Sequence, residues 1–232
     1  MQREADSSQS EAGRSAVEVS RPVRFLFDPA AVQPAAALVV ALHGYGLDAA
    51  SMLDWTRKLL GDGPAIVAIE APNAARLGSS AHAQKTGYNW GIVETTEFHV
   101  GFHHRIVQNV LEWAWQHYSI PAGRTILAGF SQPVGLNYRF AAAHPGLLRG
   151  VLALCGGVPE DWDKGAHRPL PLSVLHVARH ADEFYPPETM DLFESRLRRS
   201  VEDVTLLRLP GGHRFPMRAQ APVRAWLARI TA

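Results

Sequence analysis

The chain has 232 residues, of which 47% are hydrophobic and 19% charged, and its formal net charge is +1. That length and balance suit one globular domain with a sizeable core and exclude a disordered chain. No basic block supplies an electrostatic footprint for nucleic acid, and the single cysteine, Cys155, excludes an intrachain disulfide and a cysteine-based zinc site.

Residues 1–15 are polar, carry Arg3, Glu4, Asp6, Glu11 and Arg14, and read as a flexible leader without the apolar core of a signal peptide. Residues 16–232 read as a single domain. No apolar run approaches the roughly 20 residues that span a bilayer, and the expected location is cytoplasmic. Val17, Val19, Val23, Phe25 and Phe27 alternate with polar residues, which predicts a half-exposed strand or a hairpin broken near Pro22.

The run from Ala36 to Leu42 is apolar on both faces, as in a central strand covered on two sides, and leads into His43-Gly44-Tyr45-Gly46. A helix is predicted from Asp48, a capping residue, to Leu60, with Met52, Trp55, Leu59 and Leu60 on one face and Gly61 ending it. Ala65–Ile69 is the next buried strand. Residues 72–97 then lose periodicity. A loop this long suggests a cover over a functional site, with Tyr88 and Trp90 either facing substrate or pinning the loop to the core.

A broad apolar face from Val100 to Ala114 predicts a helix over Glu97–His117. Ile126 to Ala128 is a short buried strand, bounded by Gly129, and the segment from Asn137 to Ala143 is helical up to His144-Pro145. Strands follow at 150–154, 172–177 and 204–209, with helices at 188–200 and 221–230. Strands alternating with helices imply an α/β fold, a mostly parallel central sheet with helices on both faces. In such sheets ligands bind beyond the carboxyl ends of the strands, so the residues just after each strand carry the chemistry.

Gly129-Phe130-Ser131-Gln132-Pro133 places a serine on a sharp strand-to-helix turn, the mechanical demand of a nucleophile elbow. An attacking serine needs a base, and the base needs an orienting carboxylate. His213 follows the last strand on a Gly211-Gly212 turn, and Asp182 follows the strand before it, with Glu183 as its competitor. The amide of Gln132 would be one oxyanion donor, and Tyr45, between two glycines, offers the second. Pro133 leaves this intact, because its missing N–H falls where a helix start would leave it unpaired. His99, His103 and His104 share one helix, but no carboxylate stands at ligand spacing, so no metal is expected.

His43-Gly44-Tyr45-Gly46, Gly129-Phe130-Ser131-Gln132, the Asp182–Pro186 turn and Gly211-Gly212-His213 together resemble the phospholipase/carboxylesterase family of α/β-hydrolases over about residues 36–230. Pro133 stands where that family has glycine, and Ala178-Arg179-His180 replaces its usual glycine before the acid. The resemblance implies cofactor-free hydrolysis of carboxylic esters or thioesters, with lysophospholipids as a further substrate class and a small-molecule ester or acyl compound as the partner. It implies Ser131 as nucleophile, His213 as base, Asp182 as orienting acid, and Tyr45 and Gln132 as oxyanion donors. Tyr88, Trp90, His180 and Phe184 are the candidate substrate contacts. The rival reading is a non-catalytic hydrolase-fold binder that keeps the crevice for ligand or partner recognition, against which an intact triad argues; an acyltransferase or a peptidase would use the same residues.

Overall fold

The computed structural model describes residues 20–30, 35–78, 85–91, 96–161 and 169–232. In chain order the strands are β1 (Phe25–Asp28), β2 (Leu38–Leu42), β3 (Ala65–Ile69), β4 (Asn73–Leu77), β5 (Lys85–Asn89), β6 (Thr125–Phe130), β7 (Gly150–Leu154), β8 (Leu170–Arg179) and β9 (Val201–Leu209). The helices are α1 (Ala49–Leu60), α2 (Thr96–Tyr118), α3 (Val134–Ala143), α4 (Pro187–Ser200) and α5 (Gln220–Thr231).

Seven strands form one sheet in the order β1-β3-β2-β6-β7-β8-β9, and every neighbouring pair is parallel except β1 against β3. The period of two along β2 explains why both faces need helices. Leu38, Val40 and Leu42 point into one core with Val107 and Leu111 of α2, Tyr138 and Phe140 of α3, and Leu197 of α4. Val39 and Ala41 point into the other, with Met52 and Leu59 of α1 and Val223 and Trp226 of α5. Each large apolar side chain so buried contributes roughly 1.5–3 kcal/mol. The mostly parallel sheet and two helical layers expected from the sequence are therefore what the chain forms.

Helix α1 begins and ends as the sequence predicts. Asp48 Oδ1 accepts the Ser51 N–H at 2.8 Å, and Gly61 closes the helix at φ +78° with its N–H on the Arg57 carbonyl at 2.8 Å. Among the described residues no helix is long and apolar enough to cross a membrane. The strand expected from Val17 and Val19 lies outside the described residues.

The region 72–97 requires a correction. It is not an aperiodic loop, because β4 and β5 pair antiparallel as a second, two-stranded sheet, with residues 79–84 and 92–95 outside the described residues. Neither Asn-Ala-Ala-Arg-Leu nor Lys-Thr-Gly-Tyr-Asn alternates apolar with polar residues, so no period of two announced them. Their pairing rests on main-chain bonds and on reciprocal side-chain contacts: Asn73 Nδ2 donates to the Asn89 carbonyl and Asn89 Nδ2 to the Asn73 carbonyl, each at 3.3 Å. This hairpin lies against the turn after β2. Gly46 N–H donates to the Tyr88 carbonyl at 2.8 Å and Tyr88 N–H to the Leu47 carbonyl at 2.9 Å. A Cβ at Gly87 would stand 2.3 Å from the Gly46 oxygen, so only glycine allows that approach.

Buried histidines make the core acid-sensitive. Burial pushes His103 down to about 3, with neighbouring His104 adding to the shift, and burial alone pushes His176 down to about 4. Tyr138 Oη lies 2.8 Å from His176 Nδ1, and a hydroxyl, which can donate or accept, satisfies a neutral ring in either tautomer. An unfolded histidine takes up its proton near 6.5, so between that pH and about 4 the unfolded chain binds more protons than the folded one. The stability these rings contribute is complete above pH ~6.5 and is lost as the pH falls toward 4. The expected slope is about 1.4 kcal/mol per pH unit for each ring. Urea midpoints measured at several pH values check this, and a flat curve across that window would contradict it.

Candidate active site

The sharp turn after β6 is where the chain spends backbone strain. Ser131 has φ +62°, a left-handed conformation uncommon for a residue with a Cβ. Two main-chain bonds hold it there: Ser131 N–H donates to the Leu154 carbonyl at 2.8 Å, and the Ser131 carbonyl accepts Val134 N–H at 3.1 Å. The crowding explains the small neighbours. A Cβ at Gly129 would lie 2.6 Å from Asn137 Nδ2, and one at Gly156 would lie 2.3 Å from Val134 Cβ and 2.6 Å from the Ser131 oxygen. Pro133 precedes α3 with φ −74°, and its carbonyl accepts the Asn137 N–H at 2.8 Å. Its missing N–H therefore costs no helical bond.

Three side chains from three strand ends meet at this turn. His213 Nε2 is 2.8 Å from Ser131 Oγ, and His213 Nδ1 is 2.8 Å from Asp182 Oδ2. A carboxylate only accepts, so the ring proton sits on Nδ1 and Nε2 is left to accept the serine O–H. Asp182 is 4% exposed. Its other oxygen, Oδ1, accepts the N–H groups of Phe184 at 2.9 Å and Tyr185 at 3.1 Å, which fixes the carboxylate plane.

The loop that carries His213 is fastened from two sides. Arg179, at the end of β8, donates to three of its carbonyls: Nε to Arg214 at 3.0 Å, Nη1 to Pro210 at 2.7 Å and Nη2 to Phe215 at 3.3 Å. Glu183 Oε2 accepts the His213 N–H at 3.0 Å, and this bond holds the Glu183 carboxyl below its usual range. Glu183, a rival to Asp182 in the sequence, thus supports the loop and leaves the imidazole to Asp182.

The amides of Tyr45 and Gln132 make no hydrogen bond to another described residue. Both are braced. The Gln132 side chain bridges to the end of the hairpin, its Oε1 accepting Trp90 N–H at 3.0 Å and its Nε2 donating to the Gly91 carbonyl at 2.9 Å. Trp90 Nε1 donates to the His43 carbonyl at 2.8 Å. His43 is buried and neutral: burial lowers its pKa, Nδ1–H donates to the Gly44 carbonyl at 2.8 Å, and Nε2 accepts the Ala71 N–H at 3.0 Å.

Of the four expected substrate contacts, the structure brings one to the imidazole. The Phe184 ring is 67% exposed and meets His213 edge-on at 4.8 Å. Trp90 is only 3% exposed and packs inside the core, which corrects its reading as a wall for substrate. Tyr88 is half-buried and serves through its backbone against Leu47. His180 is exposed in the turn after β8 and does not line the cleft at Ser131. Cys155 lies buried nearby at φ +49°, with burial pushing its thiol up to about 12, which leaves it unsuited to attack. Among the described residues no group of three or more His, Cys, Asp or Glu side chains is arranged to hold a metal. Sequence reasoning missed the Arg179 clamp, the Glu183 support and the bridging side chain of Gln132.

A cleft of about 500 Å3 opens at Ser131 and His213. A hydroxyl, an imidazole, a buried carboxylate and two free amides around such a cleft are the parts that acyl transfer requires.

The model of one family, described as Phospholipase/Carboxylesterase, matches residues 29–230. No curated protein matches the chain in sequence. Among solved structures, the esterase PE8 superposes with a TM-score of 0.74 at 22% identity, covering 90% of this chain and 99% of its own. The Bacillus cereus carboxylesterase gives 0.70 at 15% identity, covering 90% and 94%. Acyl-protein thioesterase 2 of Zea mays gives 0.69 at 18% identity, covering 90% and 99%. At these identities the likeness is one of fold.

Proposed function

This chain belongs to the phospholipase/carboxylesterase family, and from that premise we propose that it is a serine hydrolase which cleaves carboxylic esters, thioesters included, through an acyl-enzyme on Ser131. The observation that carries the reading is the continuous contact from Ser131 Oγ through both nitrogens of His213 to Asp182 Oδ2, with both links at 2.8 Å.

The Ser131 O–H proton passes to His213 Nε2 as Oγ bonds to the acyl carbon. The carbonyl oxygen becomes negative and is held by the N–H groups of Tyr45 and Gln132, each worth about 10²–10³ in rate. Asp182 stabilises the imidazolium and keeps its second proton on Nδ1. The tetrahedral species then collapses, and the Nε2 proton goes to the departing oxygen or sulfur. Water repeats the sequence: it gives a proton to Nε2, attacks the acyl carbon, and releases the acid with Ser131 restored. No cofactor enters any step.

A fluorophosphonate probe tests this directly. It is expected to attach to Ser131, located by mass spectrometry of the peptide, and to stop turnover of a short-chain aryl ester in proportion to labelling. Resistance to the probe together with absent ester turnover would mean that the cleft binds without catalysing, and activity retained after full labelling would mean that a group other than Ser131 attacks the ester.

A further inference from the structure

The cleft at Ser131 does not open evenly to either side of the serine. Its walls come from α1, from the turn after β2, and from the segment that follows His213. Trp55, Phe130 and Phe215 form an aromatic corner: Trp55 and Phe215 have ring centroids 5.2 Å apart, Phe130 and Phe215 5.5 Å, and Trp55 and Phe130 meet edge-on at 6.4 Å. Phe130 also stacks on the imidazole of His213 at 5.5 Å. Met217 adds a thioether, which packs well against ring edges.

Position relative to His213 decides which part of an ester this corner receives. The Nε2 proton must reach the leaving oxygen, so that oxygen lies on the imidazole side of the acyl carbon. Whatever is attached to it would extend past His213, on whose ring Phe130 stacks; Phe130 packs in turn on Phe215 and Trp55, which line the cleft together with Met217. An acyl substituent, on the other side of the acyl carbon, would then point away from this corner. Rings packed against rings gain beyond simple burial, which favours an aromatic group over an aliphatic one of similar size.

We infer that the Trp55–Phe215–Met217 corner binds the alcohol part of the substrate, and that the preferred ester carries an aromatic ring on its leaving group. The inference rests on the serine-hydrolase reading above. Trp55 and Met217 are then specificity-determining residues, since neither supplies a proton or an amide to the reacting atoms.

Two isomeric esters isolate the point. Benzyl acetate carries its ring on the leaving group and methyl phenylacetate on the acyl group, with the same atoms in both. With each rate normalised to hydroxide hydrolysis, kcat/KM for benzyl acetate is expected to exceed that for methyl phenylacetate by roughly tenfold or more. It is also expected to exceed that for cyclohexylmethyl acetate by roughly threefold. Trp55→Ala should lower benzyl acetate turnover by about tenfold while methyl phenylacetate stays within about twofold. Met217→Trp, which fills the corner at its rim, should show the same asymmetry, and with the wild-type ratio it decides the matter if Trp55→Ala does not fold. Losses that fall on methyl phenylacetate, or equally on both isomers in folded variants, overturn the inference while leaving the hydrolase reading in place. Failure of every ester together with absent labelling at Ser131 overturns both.

Discussion

Ser131→Ala is expected to lower kcat/KM for any ester substrate by about 10⁴-fold or more, with no comparable loss of stability. The variant removes one oxygen from a residue whose main chain does the structural work. The N–H of residue 131 still reaches the Leu154 carbonyl and its carbonyl still accepts from Val134. Alanine meets the same constraint at φ +62° that serine already tolerates. What disappears is the nucleophile at 2.8 Å from His213 Nε2. Rate constants measured beside a thermal melt separate the two effects. Wild-type turnover in a folded alanine variant would mean that another group attacks the ester, and the proposed mechanism would fall.

Asp182→Asn should be nearly as damaging, with a loss of about 10³–10⁴ in kcat and little change in KM. The argument rests on which way the new amide must point. Oδ1 accepts two backbone N–H groups, from Phe184 and Tyr185. Only an oxygen can stay there, so the NH₂ group is turned toward His213 Nδ1. A donor facing Nδ1 forces the ring proton onto Nε2, where it faces Ser131 and can no longer accept the serine proton. The residue is almost isosteric and its loop contacts survive, so the melting temperature should move little. Slow fluorophosphonate labelling alongside the low kcat would match a serine that has lost its base. If the asparagine variant works as well as the parent, the carboxylate has no part in orienting the imidazole.

The sequence disclosed those features that depend on side-chain type repeated at a fixed interval. The runs at 38–42, 65–69 and 150–154 are buried throughout, and an unbroken apolar string of that length between turn residues is legible as a covered strand. Asp48 and Gly61 bound α1 because a cap needs a particular residue at a particular place. The order of Ser131, Asp182 and His213 after β6, β8 and β9 could likewise be read from a chain of alternating elements. The hairpin of β4 and β5 could not. Its partners are main-chain groups, and lysine, threonine and asparagine in its strands resemble any polar loop.

The supports of the site escaped notice for a related reason. Arg179, Glu183 and the Gln132 side chain each grip carbonyl oxygens or N–H groups of distant segments. Backbone partners have no residue type, so no pattern marks them. Trp90 shows the opposite error: an aromatic residue beside a cleft invites a role in binding, whereas its indole N–H is committed to the His43 carbonyl inside the core.

The guanidinium of Arg179 has one more implication, for how such a molecule changes over generations. It fastens the imidazole's loop by three carbonyl oxygens, belonging to Pro210, Arg214 and Phe215. Every amino acid offers that oxygen. The side chain at 214, exposed at the cleft, is therefore free to drift without loosening the mount, whereas Phe215 is held by its packing in the core. Selectivity at 214 is thereby uncoupled from the mount, so a library randomised at that position is expected to sample new preferences with the His213 loop still fastened.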